Sequence, residues 1–310
     1  MGTGEIGIPT LATLLDSKQQ HEVVAVVTQP DRPAGRNLEV RPSPIKAFAQ
    51  ARDITVLQPE KLRTDAQPIL ALEPDLIVVM AYGQIVPKLI LQLPKIACLN
   101  LHASLLPRHR GASPIHAALL AGDSETGVTV IYMDEGLDSG DILLKERIPI
   151  FPRETGGQLH DRLAQVAPNA LTKALELLQQ EAAPRSPQDL NLVTYAPKLI
   201  KENAALDWHR SAEDLDRQIR AMHPWPGTFC WWARKDTVPQ RLRILEAQPR
   251  QGDGYCGRPG EILHVGEEGV EIQTSHGSLL LCQVQLEGRK PMAAAEFARG
   301  HPCLKGTFLK

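Results

Sequence analysis

The sequence is short of aromatics, of paired cysteines and of surplus charge. Aromatic residues are 4% of its 310 positions, so any core must be mostly aliphatic. Its five cysteines, Cys98, Cys230, Cys256, Cys282 and Cys303, are scattered, odd in number and never spaced Cys-x-x-Cys. That argues against a disulfide framework or a zinc site and suits a reducing compartment. A net charge of -2 excludes a nucleic-acid binder that works by bulk basicity and leaves room only for a local basic patch. No apolar run approaches the roughly 18 residues of a membrane span, and no signal peptide is visible. The expected location is the cytoplasm, and the expected state a monomer.

A strand is also lacking at the start. Met1 is followed at once by Gly2-Thr3-Gly4 and a helix-like run from Ile6 to Leu15. A glycine-rich turn that opens a helix normally follows a strand. The expectation is therefore an α/β sheet whose first strand is missing.

Val23–Val27 and Leu76–Met80 are short β-branched runs that read as strands buried on two faces, and Ile96–Leu101 and Val128–Met133 read as two further strands. Helical patterns lie between them, around 44–51, 65–72, 84–92 and 112–121, and a longer one covers 156–181. Pro168 is expected to kink or break that last helix. Alternating strands and helices imply a Rossmann-like, mostly parallel sheet over residues 1–181. Residues 182–198 hold turn formers without a period and read as a linker. From 199 to 310 the pattern changes. A capping box at Ser211–Asp214 opens a short helix. Short β-like runs at 228–232, 241–247, 260–265, 269–274 and 279–286 then suggest a small barrel or sandwich. Arg217, Arg220, Arg234, Lys235, Arg241 and Arg243 lie near Trp225, Trp231 and Trp232. Such a mixture can grip phosphates and stack on bases. With 15 Lys and Arg against 14 Asp and Glu over 201–310, composition alone favours a solvated face together with a few core tryptophans rather than such a grip.

Chemistry concentrates at Asn100-Leu-His102-Ala-Ser104-Leu-Leu-Pro107-Arg-His-Arg-Gly111 and at Asp134-Glu-Gly-Leu-Asp138-Ser-Gly-Asp141. Asn100 and His102 are two apart on a strand, so they share a face with Cα atoms about 7 Å apart. Cys98 shares that face, but roughly 13 Å from His102 it is too far for a Cys–His nucleophile and reads as a small buried hydrophobe. Each loop follows a strand, where open α/β sheets bind ligands. An amide, an imidazole and a carboxylate converging there suit acyl transfer to an amine. His102, His109 and His116 cross a strand, a loop and a helix, so no metal site is expected.

These motifs resemble the formyltransferases that use 10-formyltetrahydrofolate, and within them the branch that acts on methionyl-tRNA. That branch is matched by Thr28-Gln-Pro-Asp-Arg-Pro-Ala-Gly-Arg36, Pro42–Lys46, Ala81–Pro87, Thr194–Lys198, His223–Pro226 and Met292–Gly300. The resemblance implies catalytic roles for Asn100, His102 and Asp138. It implies folate contacts from Ser104, Leu105, Leu106, Pro107, Tyr82 and Gly83, and contacts to initiator tRNA from Arg32 and Arg36. It also implies an OB-like carboxyl domain that holds tRNA. Asn100 and a protonated His102 would donate to the oxyanion, with Asp138 orienting the ring. The early loop has fewer lysines than usual, so its grip on RNA should be weaker.

Other readings remain open at this point. Gly2-x-Gly4-x-x-Gly7 spells a dinucleotide fingerprint, but it lacks the preceding strand, and Thr28-Gln29-Pro30 stands where an acid is needed. A non-catalytic RNA-binding module and a formyltransferase for a small amine are the others.

Overall fold

The computed structural model describes residues 1–17, 21–34, 39–232, 238–250, 257–301 and 304–310. The chain forms two compact units. The first comprises Met1–Ile115, Glu125–Pro149 and Leu159–Pro197, the second His116–Ser124, Ile150–Gln158 and Lys198–Lys310.

The elements of the first part of the chain are α1 (Ile8–Asp16), β1 (Val26–Val27), β2 (Arg32–Ala34), β3 (Glu39–Arg41), α2 (Pro44–Gln50), β4 (Val56–Leu57), α3 (Gln67–Leu70), β5 (Leu76–Val79), α4 (Lys88–Leu91), β6 (Ala97–His102), β7 (Arg110–Gly111), α5 (Pro114–Ala121), β8 (Glu125–Tyr132), β9 (Ile142–Pro149), α6 (Gly156–Gln179) and β10 (Tyr195–Ala196). Helix α2 starts where the sequence prepares it: the Ser43 hydroxyl accepts the Lys46 N–H at 3.2 Å, and Pro44 sits at the first position, where no N–H is needed. Strands β1 and β4 pair in parallel, as do β5 and β6, and their aliphatic side chains form the core.

No strand precedes β1 among the described residues. Between β1 and β5 the chain contributes one bridge: Gly2 N–H donates to the Val27 carbonyl at 3.0 Å, Met80 N–H to that of Met1 at 2.9 Å, and Gly2 bridges Met80 in parallel. A Cβ on Gly2 would lie 2.8 Å from the Met80 carbonyl oxygen, so close backbone approach explains this glycine without a dinucleotide. A cavity of about 510 Å³ adjoins this position, lined in part by Met1, Val23, Val24, Leu76 and Val78.

The sheet is mostly parallel, as the alternation of strands and helices implies, but β8 runs antiparallel to β6, with Leu99 opposite Tyr132 and His102 opposite Thr129, and β9 is antiparallel to β8. The sheet is parallel through β6 and antiparallel beyond it. Helix α6 is not broken at Pro168, which lies inside it. Leu159, Leu163, Ala167, Leu171 and Ala174 are buried along one stripe, and their packing outweighs the roughly 3 kcal/mol that an interior proline costs. Within residues 182–198 the backbone is paired at several points. Ser186 and Ile142 exchange both backbone hydrogen bonds, and β10 pairs with β7.

The second unit contains α7 (Ala212–Ala221), β11 (Phe229–Trp232), β12 (Gln240–Arg250), β13 (Ile262–Gly266), β14 (Gly269–Gln273), β15 (Ser278–Leu286), β16 (Met292–Ala293) and α8 (Ala294–Arg299). The Ser211 hydroxyl caps α7 by accepting the Asp214 N–H. The strands are antiparallel in the order β11-β12-β15-β14-β13, with β16 on β15. The carboxyl-terminal residues link the two outer strands. Ile262 exchanges hydrogen bonds with Gly306 and Thr307, and Trp231 exchanges two with Lys310. The sheet is thereby closed, which removes its open edges. Trp232 is buried against Phe297 and His301, whereas Trp225 and Trp231 are exposed. Arg220 is engaged by buried Asp216, and Arg241 lies over the Phe229 ring. Arg234 and Lys235 lie outside the described residues.

Candidate active site

Strand β6 carries Asn100 and His102 to one face, and Asp138 meets both. The Asn100 Nδ2 donates to Asp138 Oδ1 at 3.1 Å, and His102 Nδ1 is 3.5 Å from Asp138 Oδ2. The Gly111 N–H donates to Oδ2 at 2.8 Å. One carboxylate therefore gathers an amide, a ring and a backbone donor.

Asp138 does not reach this point as a simple neighbouring strand end. Because β8 is antiparallel, its carboxyl end lies beside the start of β6, where Met133 N–H donates to the Cys98 carbonyl. The loop 133–141 must turn back along β6 to present the carboxylate. Gly140 permits this, since a Cβ there would run into the Tyr132 carbonyl. Asp138 itself adopts a left-handed backbone, φ 48°, a conformation aspartate tolerates better than most residues. The Asp134 carboxylate accepts from the Ser139 hydroxyl and the Gly136 N–H, bracing the loop from within.

His102 is buried, and its Nε2 is 2.8 Å from the His109 carbonyl. A carbonyl only accepts, so Nε2 carries a proton and Nδ1 faces Asp138. Both ring nitrogens are thus committed. The expectation that His102 donates directly to an oxyanion is not met in this geometry. Asn100 has a second Nδ2–H, which no described residue takes. Cys98 donates to the Met133 sulfur at 3.8 Å, and burial pushes its thiol pKa up to about 12, as expected for an unreactive core residue.

The remaining expected residues divide into side chains and backbone. Ser104 is fully buried and donates to the Arg108 carbonyl at 2.7 Å. Leu106 packs with Ile131 and Ile142 and is inaccessible, Pro107 is buried, and Leu105 is half-buried. Tyr82 lies in the core with its hydroxyl buried and without a hydrogen-bond partner, and burial raises its pKa to about 12. Its ring and the Leu106 side chain cannot touch a ligand here; these stretches offer backbone and the exposed Gly83. Arg32 is exposed on β2, opposite Arg41 of β3, so the early loop contains a hairpin arm. Arg36 lies outside the described residues.

Sequence reasoning overlooked Thr129. It is fully buried on β8, its hydroxyl donates to the Ser104 carbonyl at 2.6 Å and it accepts the Leu106 N–H at 3.1 Å. It pins the loop after β6 from the neighbouring strand. A threonine in a buried β-branched run carries no signal of that duty. Among the described residues, no group of three or more His, Cys, Asp or Glu could hold a metal ion, and no helix is long and apolar enough to cross a membrane.

An α/β sheet with this constellation, followed by a small closed β unit, defines an enzyme of the group-transfer class. The chain belongs to the formyl transferase family, whose domain model matches residues 1–175 and whose carboxyl-terminal domain model matches residues 198–302. It is 46% identical over 311 aligned positions to the methionyl-tRNA formyltransferase of Geobacter sulfurreducens, covering 100% of this chain and 95% of that protein. It is 43% identical to the enzyme of that name from Desulforamulus reducens, covering 100% and 96%. Among solved structures, its fold resembles an N-formyltransferase from Helicobacter canadensis in complex with folinic acid and dTDP-3-aminofucose, with a TM-score of 0.64, 17% identity and coverage of 90% and 96%. HypX from Aquifex aeolicus in complex with tetrahydrofolic acid has a TM-score of 0.55 at 20% identity, covering 80% of this chain and 43% of that one. These neighbours are not dinucleotide oxidoreductases, and the fingerprint reading is abandoned.

Proposed function

We propose that the chain transfers the formyl group of 10-formyltetrahydrofolate to the α-amine of methionine esterified to initiator tRNA, acting as a cytoplasmic monomer in translation initiation. The observation that carries this reading is the Asp138 carboxylate bonded to Asn100 and set against His102, in a chain 46% identical to a methionyl-tRNA formyltransferase. Methionyl-tRNA is favoured over a small amine by the 46% and 43% identity, over the full chain, to enzymes named methionyl-tRNA formyltransferase.

The chemistry follows from the bonds exchanged. The neutral amine attacks the formyl carbon, the carbonyl oxygen becomes an oxyanion, and the bond from carbon to folate N10 then breaks. Overall, one proton leaves the attacking nitrogen and one arrives on N10. The free Asn100 N–H is placed to donate to the oxyanion; one such donor contributes about 3 kcal/mol, a hundredfold or more in rate. Asp138 and His102 hold a proton site between them and serve as the group that takes the amine proton and returns it to N10. The His109 carbonyl keeps the ring in the orientation this needs. Exposed Arg32 on the hairpin arm, together with Arg36, is assigned to the tRNA phosphates, and the carboxyl-terminal β unit to the tRNA body.

The test is incubation with labelled 10-formyltetrahydrofolate and methionyl initiator tRNA. Label should appear on the aminoacyl group; its absence with fully folded protein would end this reading. In the same assay Arg32→Ala should raise KM for tRNA several-fold and leave KM for folate unchanged. Equal rises in both would remove Arg32 from the tRNA contact.

A further inference from the structure

Gln188 lies in the stretch whose sequence reads as a linker, yet it is buried beneath the Asp138 loop. Its Oε1 accepts from Arg110 Nε at 3.1 Å and from Nη2 at 2.8 Å. Its Nε2 donates to the Asp138 carbonyl at 2.8 Å and to the Gly140 carbonyl at 2.8 Å. The orientation of this amide is unambiguous, because a guanidinium only donates and a carbonyl only accepts.

Two features make this more than a packing contact. Arg110 is buried, and among the described residues its side-chain partner is a neutral amide; no carboxylate lies within ion-pair distance. Burying a cation on a neutral acceptor is costly for stability, so stability does not explain the arrangement. What Gln188 holds is also specific. It grips the peptide of Asp138, whose left-handed φ of 48° is a conformation that surroundings must maintain. The other side of the site is held by the same stretch of chain. Thr194 accepts the His109 N–H through its hydroxyl at 2.8 Å and the Arg110 N–H through its carbonyl at 2.9 Å, and β10 pairs with β7. His109 supplies the carbonyl on His102 Nε2, and Gly111 the N–H on Asp138 Oδ2.

We propose that Gln188 is a positioning residue for the transfer reaction: oriented by Arg110, it fixes the Asp138 peptide so that the carboxylate stays on Asn100, His102 and the Gly111 N–H. This rests on the functional reading above. It touches no substrate, so its loss should lower kcat and spare KM.

The decisive variants are Gln188→Leu and Gln188→Glu in the full chain. The glutamate keeps an acceptor for Arg110 and gives it a charge partner, but removes both amide donors and places an anion against two carbonyls. Both variants should lose at least tenfold in kcat in the labelled-formyl assay, with KM for folate and for charged tRNA within about twofold of wild type. The melting temperature of Gln188→Glu should stay near the wild-type value. In ¹⁵N-glycine-labelled protein, the Gly111 amide resonance should move upfield in both variants as its bond to Asp138 is lost. A Gln188→Glu enzyme with wild-type kcat, or a loss confined to KM, would overturn the proposal. If wild-type protein transfers no formyl group, the functional reading falls, while the Gly111 resonance still decides whether Gln188 holds the loop.

Discussion

Asp138 concentrates the site's chemistry in one side chain, because its two oxygens satisfy a side-chain amide, a ring edge and a backbone N–H together. Losing that carboxylate releases all three. Asn100→Ala and Asp138→Asn should each lower turnover by more than tenfold while the protein stays folded; rates near wild type would remove these residues from the chemistry. Cys98, on the same face of β6, marks the contrast between nearness and participation. Burial raises its thiol to about 12, so almost no thiolate exists at neutral pH. Native protein at pH 8 should resist iodoacetamide at Cys98, and urea-unfolded protein should react, as read by peptide mass spectrometry. Rapid native labelling would show the thiol to be accessible.

The loop 133–141 shows at the level of elements how a glycine can shape a candidate active site. Gly140 lies against the Tyr132 carbonyl with no space for a side chain. Gly140→Ala should push the loop off β8, cut kcat by at least tenfold and leave the second unit's urea transition unchanged; a fully active variant would mean that the loop has another resting place. The positions of β5 and β8 were legible in the sequence, because runs rich in Leu, Ile and Val bury both faces of a strand. The direction of β8 was not. A doubly buried strand has the same composition whether its neighbour is parallel or antiparallel, and register depends on partners distant in the chain. The clamp formed by Gln188 and Thr194 was invisible for a related reason: hydrogen bonds to backbone carbonyls leave no period and no composition bias. Arg110 and Gly111 stood inside a recognised motif, but their duties appeared only once β10 lay beside β7.

Over the whole molecule, two family domain models match in succession, residues 1–175 and residues 198–302, and each unit has its own buried aliphatic core. Leu215, Leu242, Ile272, Leu279 and Val284 bury themselves within the second unit as Val27, Ile77, Val79 and Ile90 do within the first.

The order of residues along the chain was enough to mark β1, β5, β6 and β8 as strands, to single out the side chains proposed for acyl transfer, and to show that an α/β unit precedes a small β unit, though it gave no sign of β9. Those properties depend on local periodicity and on the chemistry of short motifs. Only the tertiary structure decided that Asp138 arrives by a loop turned back along β6, that both His102 nitrogens are committed, and that an apparent linker braces the site. These depend on contacts between residues 7 to 85 positions apart, most of them formed with backbone groups that every residue carries alike.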